Sequence, residues 1–148
     1  MPTKPDPRQD ASFEAGPGFL LWRLSNRWQA AQRAALKPLG LTHVRFVLLA
    51  SLAALEDGDP ITQRRLSQHV ALDPMMTSQV LRVLEDDGLV ERRHHPADGR
   101  ARSLHTTAKG RELALEATVV VEGCDELFFA QLGGDARAFI ERLATLAG

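Results

Sequence analysis

A single cysteine in 148 residues, Cys124, has no partner for an internal disulfide and no companions for a thiolate metal cage. The histidines do not fill that gap. His43, His69, His94, His95 and His105 nowhere show the i, i+4 spacing by which a helix offers two imidazoles to one ion. Long apolar runs are missing too, and nothing approaches the roughly 20 residues that a bilayer crossing requires. The opening MPTKPDPRQDASFEAGPG has no apolar core of the kind a secretory leader carries, so the chain is expected in the cytoplasm. There is no glycine-rich phosphate loop and no nucleophile elbow, and Ser, His and Asp fall in no recognisable catalytic arrangement. These absences argue against an enzyme, and no cofactor or metal is expected. No internal repeat is visible.

What is present describes one ordinary globular domain, with 44% hydrophobic and 25% charged residues. The net charge is only −1, but it is unevenly spread. Between Thr62 and Arg111 nine Lys/Arg face six acids, so a basic middle sits inside a slightly acidic chain. That pattern suits a localised anionic partner, although a solvated charged surface would read the same way.

Four of the eight prolines lie within residues 1–17, which read as a flexible arm. Leu20, Leu24, Trp28, Ala31 and Ala35 recur at steps of three and four and predict a first helix over Gly18–Leu36, stopped by Pro38 and Gly40. Thr42 is a good N-cap for a second helix, His43–Glu56. Thr62 caps a short third helix ending near Val70. Asp73 caps a fourth that runs to about Asp87, with Pro74 at its first position, where a missing N–H costs nothing, and Gly88 at its C-cap. Leu89–His94 and Arg102–Thr106 read as two short strands around the turn-rich HPADGR. A helix of about 20 residues begins at Thr107, and a last one spans Asp135–Ala147 after Gly133-Gly134.

A short helix, a tight turn, a capped second helix and a basic hairpin form the informative block. Helix-turn-helix geometry lays the second helix in the DNA major groove, with the hairpin as a wing beside it. Met75, Thr77, Ser78 and Gln79 in the first turns are short or uncharged and can approach bases; Gln suits adenine, and Ser or Thr either role. Arg82, one turn on, can reach a phosphate or a guanine. The wing carries Arg92, Arg93, Arg100 and Arg102, and arginines on a narrow hairpin suit the negative potential of a minor groove. Asp98 is read as structural, holding the turn or orienting Arg100.

The stretch TQRRLSQHVALDPMMTSQVLRVLEDDGLVERRHHPADGRARSLHTTAKGR resembles the MarR family. Leu84-Glu85 with Gly88-Leu89-Val90, Asp98 with Arg100 on the wing, and Thr107 with Gly110 carry the likeness, which extends over residues 18–148. Three positions depart from the usual pattern: Gly99 where a second wing arginine is common, Thr106 where leucine is usual, and Ser67 where alanine is common. The resemblance implies a mainly α fold with a small β-hairpin wing. A winged helix-turn-helix lobe would span 42–106, and helices from 18–40 and 107–148 would intertwine with those of a second copy. Trp22, Trp28, Val119, Val120, Val121, Leu127, Phe128 and Phe129 agree with this, being many large apolar groups for the terminal helices of a small lobe.

A homodimer would present two recognition helices to a near-palindromic site on double-stranded DNA. The resemblance further implies a transcriptional regulator, most often a repressor, whose grip on DNA a small aromatic or phenolic ligand relaxes. Trp22, Trp28, His43, Arg45 and Phe46 are the candidates to line a cleft for it, with Arg45 as the cation for a carboxylate. The alternative is that these residues only support the fold. Cys124 lies among Glu122, Asp125 and Glu126, which raise a thiol's pKa and disfavour redox sensing. A regulator without an effector, one that responds to oxidation, and a winged-helix module that binds protein are the rival readings.

Overall fold

The computed structural model describes residues 1, 13–94 and 102–148. Helix α1 spans Pro17–Leu36 and leads through a 3-10 turn, Lys37–Leu39, into α2, His43–Leu55. Helices α3, Gln63–His69, and α4, Pro74–Asp86, follow, then strands β1, Val90–His94, and β2, Arg102–Thr106. Helix α5 covers Ala108–Phe129, and a 3-10 stretch, Ala130–Asp135, precedes α6, Ala136–Ala147. Proline at the first position starts α1 one residue earlier than the apolar spacing suggests. Phe13–Gly16 turn into that helix, Gly16 N–H donating to the Phe13 carbonyl at 3.1 Å. The rest of the expected arm, apart from Met1, lies outside the described residues.

The boundaries follow from side chains that complete helix ends. Thr42, Thr62, Asp73 and Thr107 each accept the backbone N–H three residues on, from Arg45, Arg65, Met76 and Gly110. Such a cap satisfies a donor with no partner inside the helix and contributes about 1 kcal/mol. Helix α4 ends with Gly88 at φ +72°; its N–H reaches the Glu85 carbonyl, and Leu89 N–H reaches Leu84. That paired closure requires a left-handed residue, for which glycine carries no steric penalty. Helix α3 closes the same way, with Ala71 N–H to Gln68 and Leu72 N–H to Ser67, but Ala71 holds φ +53° without being glycine.

The two strands pair antiparallel, Val90 opposite Thr106 and His94 opposite Arg102. Leu104 also bridges back to Ile61, its N–H donating to the Ile61 carbonyl at 2.7 Å, so the segment before α3 lies along the hairpin. The main core joins α2, α3, α4 and the hairpin through Leu48, Leu49, Leu52, Leu66, Leu81, Leu84 and Leu104, all 0–1% exposed, and Ala114 brings in α5. A smaller cluster of Leu36, Leu41, Phe46, Ala117 and Val121 attaches α1 and α5 to that lobe.

Beyond this point the chain buries little. Helix α6 has no buried residue, although Ile140, Leu143 and Leu146 are apolar. Leu20, Leu21 and Trp22 on α1, and Leu115, Val119 and Leu127 on α5, are also exposed. Leu21, Leu24, Trp28, Phe129, Phe139 and Leu143 line an apolar groove of about 250 Å³ between α1, α5 and α6. No single helix among the described residues is long and apolar enough to cross a membrane.

Candidate nucleic-acid interface

Helix α4 is amphipathic because Thr77, Val80, Leu81 and Leu84 point inward. The opposite side carries Met75, Gln79 and Arg82, all exposed, at spacings of four and three that place them on one stripe. Ser78 is half-buried at the edge of that stripe. Thr77 does not belong to the outward set. It is fully buried, and its hydroxyl donates to the Asp73 carbonyl at 2.9 Å. A threonine can satisfy its hydroxyl one turn back on its own helix, so polarity alone did not reveal which way it faced.

The hairpin arginines have separate roles. Arg92 turns back onto the body: its Nε donates to Glu85 at 2.9 Å and an Nη donates to Gln63 at 3.0 Å, and its side chain is 24% exposed. It therefore ties β1 to α4 and α3 and is withdrawn from the wing's outer surface, contrary to the sequence reading. Arg93 is 60% exposed and pairs with Glu91 on its own strand, and Arg102 is exposed. Asp98 and Arg100 lie outside the described residues. Helix α3 adds exposed Arg64 and Arg65, the latter donating to the Asp59 carbonyl at 3.1 Å.

The hairpin is anchored at its exit. The Glu56 carboxylate, at the end of α2, accepts the Thr106 N–H, the Thr106 hydroxyl at 2.7 Å and an Arg111 Nη at 3.1 Å. Burial alone would raise the Glu56 pKa, but these donors outweigh it and hold the carboxyl below the usual range. Thr106 is itself buried, so its hydroxyl needs such a partner. Neither Glu56 nor Gln63 was singled out from the sequence, because a strut declares itself only when its remote partner is known.

A second feature opens between α1 and the lobe. Gln29, Arg33, Thr42, His43, Val44, Val47, Val70 and Leu72 line a cleft of about 510 Å³. Val70 and Leu72 flank the turn that launches α4, so the cleft touches the support of that helix. Of the five residues expected here only His43 lines it. Trp22 is exposed, Phe46 is buried in the smaller core cluster, and Arg45 is absent from the lining, since α2 turns Val44 and Val47 toward the cleft instead. The nearby cation is Arg33 of α1, which the sequence reading missed.

Trp28 stands behind His43, the two rings edge-on with centroids 4.9 Å apart. Its Nε1 donates to Asp125 at 2.7 Å, and Gln32 Nε2 donates to the same oxygen at 2.6 Å, fastening α1 to α5. Burial lowers the His43 pKa; Asp125 opposes this and Arg33 reinforces it. Cys124 has its pKa raised by burial and by Asp125, which keeps it a thiol. Among the described residues no group of His, Cys, Asp and Glu could hold a metal ion.

Comparison with known proteins matches residues 41–101 to the model of the MarR family. The HTH-type transcriptional regulator YdcH of Bacillus subtilis is 41% identical over 115 residues, which are 77% of this chain and 78% of YdcH. The HTH-type transcriptional repressor Rv2887 of Mycobacterium tuberculosis is 34% identical over 131 residues, 88% of this chain and 92% of that protein. Its crystal structure with DNA superposes with a TM-score of 0.70 at 33% identity, covering 90% of this chain and 98% of that one. Its complex with p-aminosalicylic acid gives a TM-score of 0.72 at 33% identity, covering 90% and 99%. The transcriptional repressor CouR, bound to a 23-mer DNA duplex, gives 0.82 at 26% identity, covering 93% and 96%.

Proposed function

The chain belongs to the MarR family, and from that premise we propose that it works as a homodimeric, sequence-specific DNA-binding repressor whose affinity for its operator falls when a small aromatic acid is bound. The observation that carries the reading is the outward stripe of α4. A capped helix, packed on the core by its other face, presents Met75, Gln79 and Arg82 to solvent beside a hairpin bearing exposed Arg93 and Arg102. In this role Gln79 pairs with an adenine edge, Arg82 takes a guanine or a phosphate, and the wing cations take backbone charge. The relatives bound to DNA support the same use of the fold.

The homodimer rests on what α1, α5 and α6 leave uncovered. Apolar faces of this extent on one end of a small molecule mark an interaction surface, and a second copy offers the matching faces by symmetry. Effector control rests on the cleft. An aromatic ring would lie against Val44, Val47, Val70 and Leu72, and its carboxylate would face Arg33 and neutral His43. The p-aminosalicylic acid complex of the relative supports that ligand class. A ligand there displaces the turn before α4 only if it binds one lobe arrangement better than the other.

Selection of bound duplexes from a random pool tests DNA recognition. The expected result is a two-fold symmetric consensus whose affinity falls steeply with salt. Recovery of unselected sequences, with equal affinity for any duplex, would remove sequence-specific regulation. Calorimetry with salicylate tests the effector. Binding should weaken in Arg33→Ala and survive in Arg45→Ala. The loss of ligand affinity on the operator complex should equal the loss of DNA affinity at saturating ligand, because the coupling is reciprocal.

A further inference from the structure

Met75 and Met76 stand apart from every other exposed apolar residue. Among the described residues, the remaining large exposed hydrophobics lie at the N-terminal end or on α1, α5 and α6. Among the described residues of the lobe, 42–94 and 102–106, these two methionines are the only large hydrophobics that are exposed, at 71% and 45%. They occupy the second and third positions of α4, directly after Pro74. Among the described residues none buries them, and their helix packs on the core by Thr77, Val80, Leu81 and Leu84.

Met75 also shares the stripe of Gln79 and Arg82, four and seven residues on. The N-terminal turns of a recognition helix meet base edges. The major-groove edge of a base pair presents one apolar group, the C5-methyl of thymine. A methionine side chain, unbranched and polarizable, can shape itself around such a group. Four residues of helix advance about 6 Å and one base step about 3.4 Å, so Met75 and Gln79 reach base pairs one or two steps apart.

We propose that Met75 is a specificity-determining residue that selects thymine by its C5-methyl group, one or two base steps from the adenine taken by Gln79. The proposal rests on the reading of α4 as the recognition helix. It adds an apolar reader to the polar ones on the same stripe, and it accounts for the exposure of two hydrophobic side chains at the start of this helix. Met76 widens the apolar contact from beside the stripe.

The test starts from a duplex selected by the wild-type protein. Each thymine of one half-site is replaced in turn by deoxyuridine, which removes the methyl and keeps every Watson–Crick and groove hydrogen bond. Affinity is read by fluorescence anisotropy for the wild type, Met75→Ala and Met75→Leu. At one thymine the wild type should lose about three- to fivefold in affinity, the scale of one methyl buried. Met75→Ala should bind the thymine and uracil duplexes equally, and Met75→Leu should recover the preference. Thermal melting should be unchanged in both variants, because Met75 makes no buried contact. Uracil tolerated at every position by the wild type would overturn the proposal, and so would an equal penalty in Met75→Ala, while tight binding to the selected duplex still stood. Failure to select any duplex would instead overturn the recognition-helix reading, and this proposal with it.

Discussion

At the residue scale, Gln79 and Thr77 separate reading from support. They lie two positions apart on α4 and point to opposite sides, one exposed and one fully buried. Gln79→Ala should cost about 1–3 kcal/mol on the selected duplex and relax the preference at one base position. Thr77→Val should lower the melting temperature by the loss of one hydrogen bond, about 0.5–1.5 kcal/mol, and leave base preference intact. Competition assays with single-base variants, beside thermal melts, check both. His43 gives a second test. Its pKa is lowered in the folded chain, so the unfolded chain binds more protons as the pH falls from the ordinary histidine value of 6.5. Its contribution to stability is therefore complete above that value and is lost progressively as the pH drops toward the folded pKa. Denaturant titrations between neutral and mildly acid pH should show this loss, and His43→Gln should flatten it. The sequence misled on residues whose partners are remote. Arg92 reads as a wing cation until Glu85 and Gln63 are seen beside it, and Arg45 reads as the cleft cation until α1 brings Arg33 to that opening.

At the scale of elements, the sequence was far more legible, because caps and breakers act locally. Thr42, Thr62, Asp73 and Thr107 announce helix starts through their own side chains, and Gly88 announces a helix end through the one conformation it must adopt. What stayed hidden was why Gly110 stands where it does. A Cβ there would lie 2.0 Å from the Leu89 carbonyl oxygen, so the start of α5 presses directly on the backbone leaving α4. The contact continues through Thr107, whose N–H donates to that same carbonyl at 3.0 Å and whose hydroxyl donates to Gly88 at 2.7 Å. Gly110→Ala must push two backbones apart, and it should destabilise by roughly 1–3 kcal/mol or more, read from denaturant midpoints. Ala71 offers the opposite sign. It holds a left-handed conformation in the turn between α3 and α4, which costs an L-residue about 1–2 kcal/mol. Ala71→Gly should relieve part of that and raise stability by up to about 1 kcal/mol, net of the extra freedom glycine gives the unfolded chain. A melt below wild type for Ala71→Gly would contradict this account of the turn.

At the scale of the whole molecule, the chain divides into a lobe that is complete and an end that is not. The lobe packs most of its leucines to nearly zero exposure, whereas no residue of α6 is fully buried and Leu20, Leu21 and Trp22 on α1 and Leu115, Val119 and Leu127 on α5 stay exposed. The surplus of large apolar residues in the terminal helices was visible in the sequence, but the groove that Leu21, Leu24, Trp28, Phe129, Phe139 and Leu143 form between α1, α5 and α6 was not. Two lobes joined through that end would present two α4 helices to successive grooves on one side of a duplex, and this is the central claim. Sedimentation of the protein with a labelled selected duplex, at protein concentrations spanning the binding midpoint, tests it most directly. The account predicts two chains per duplex throughout, no one-chain complex, and a large loss of affinity when one half-site is scrambled. A single chain bound per duplex, with affinity unchanged by scrambling either half, would contradict it.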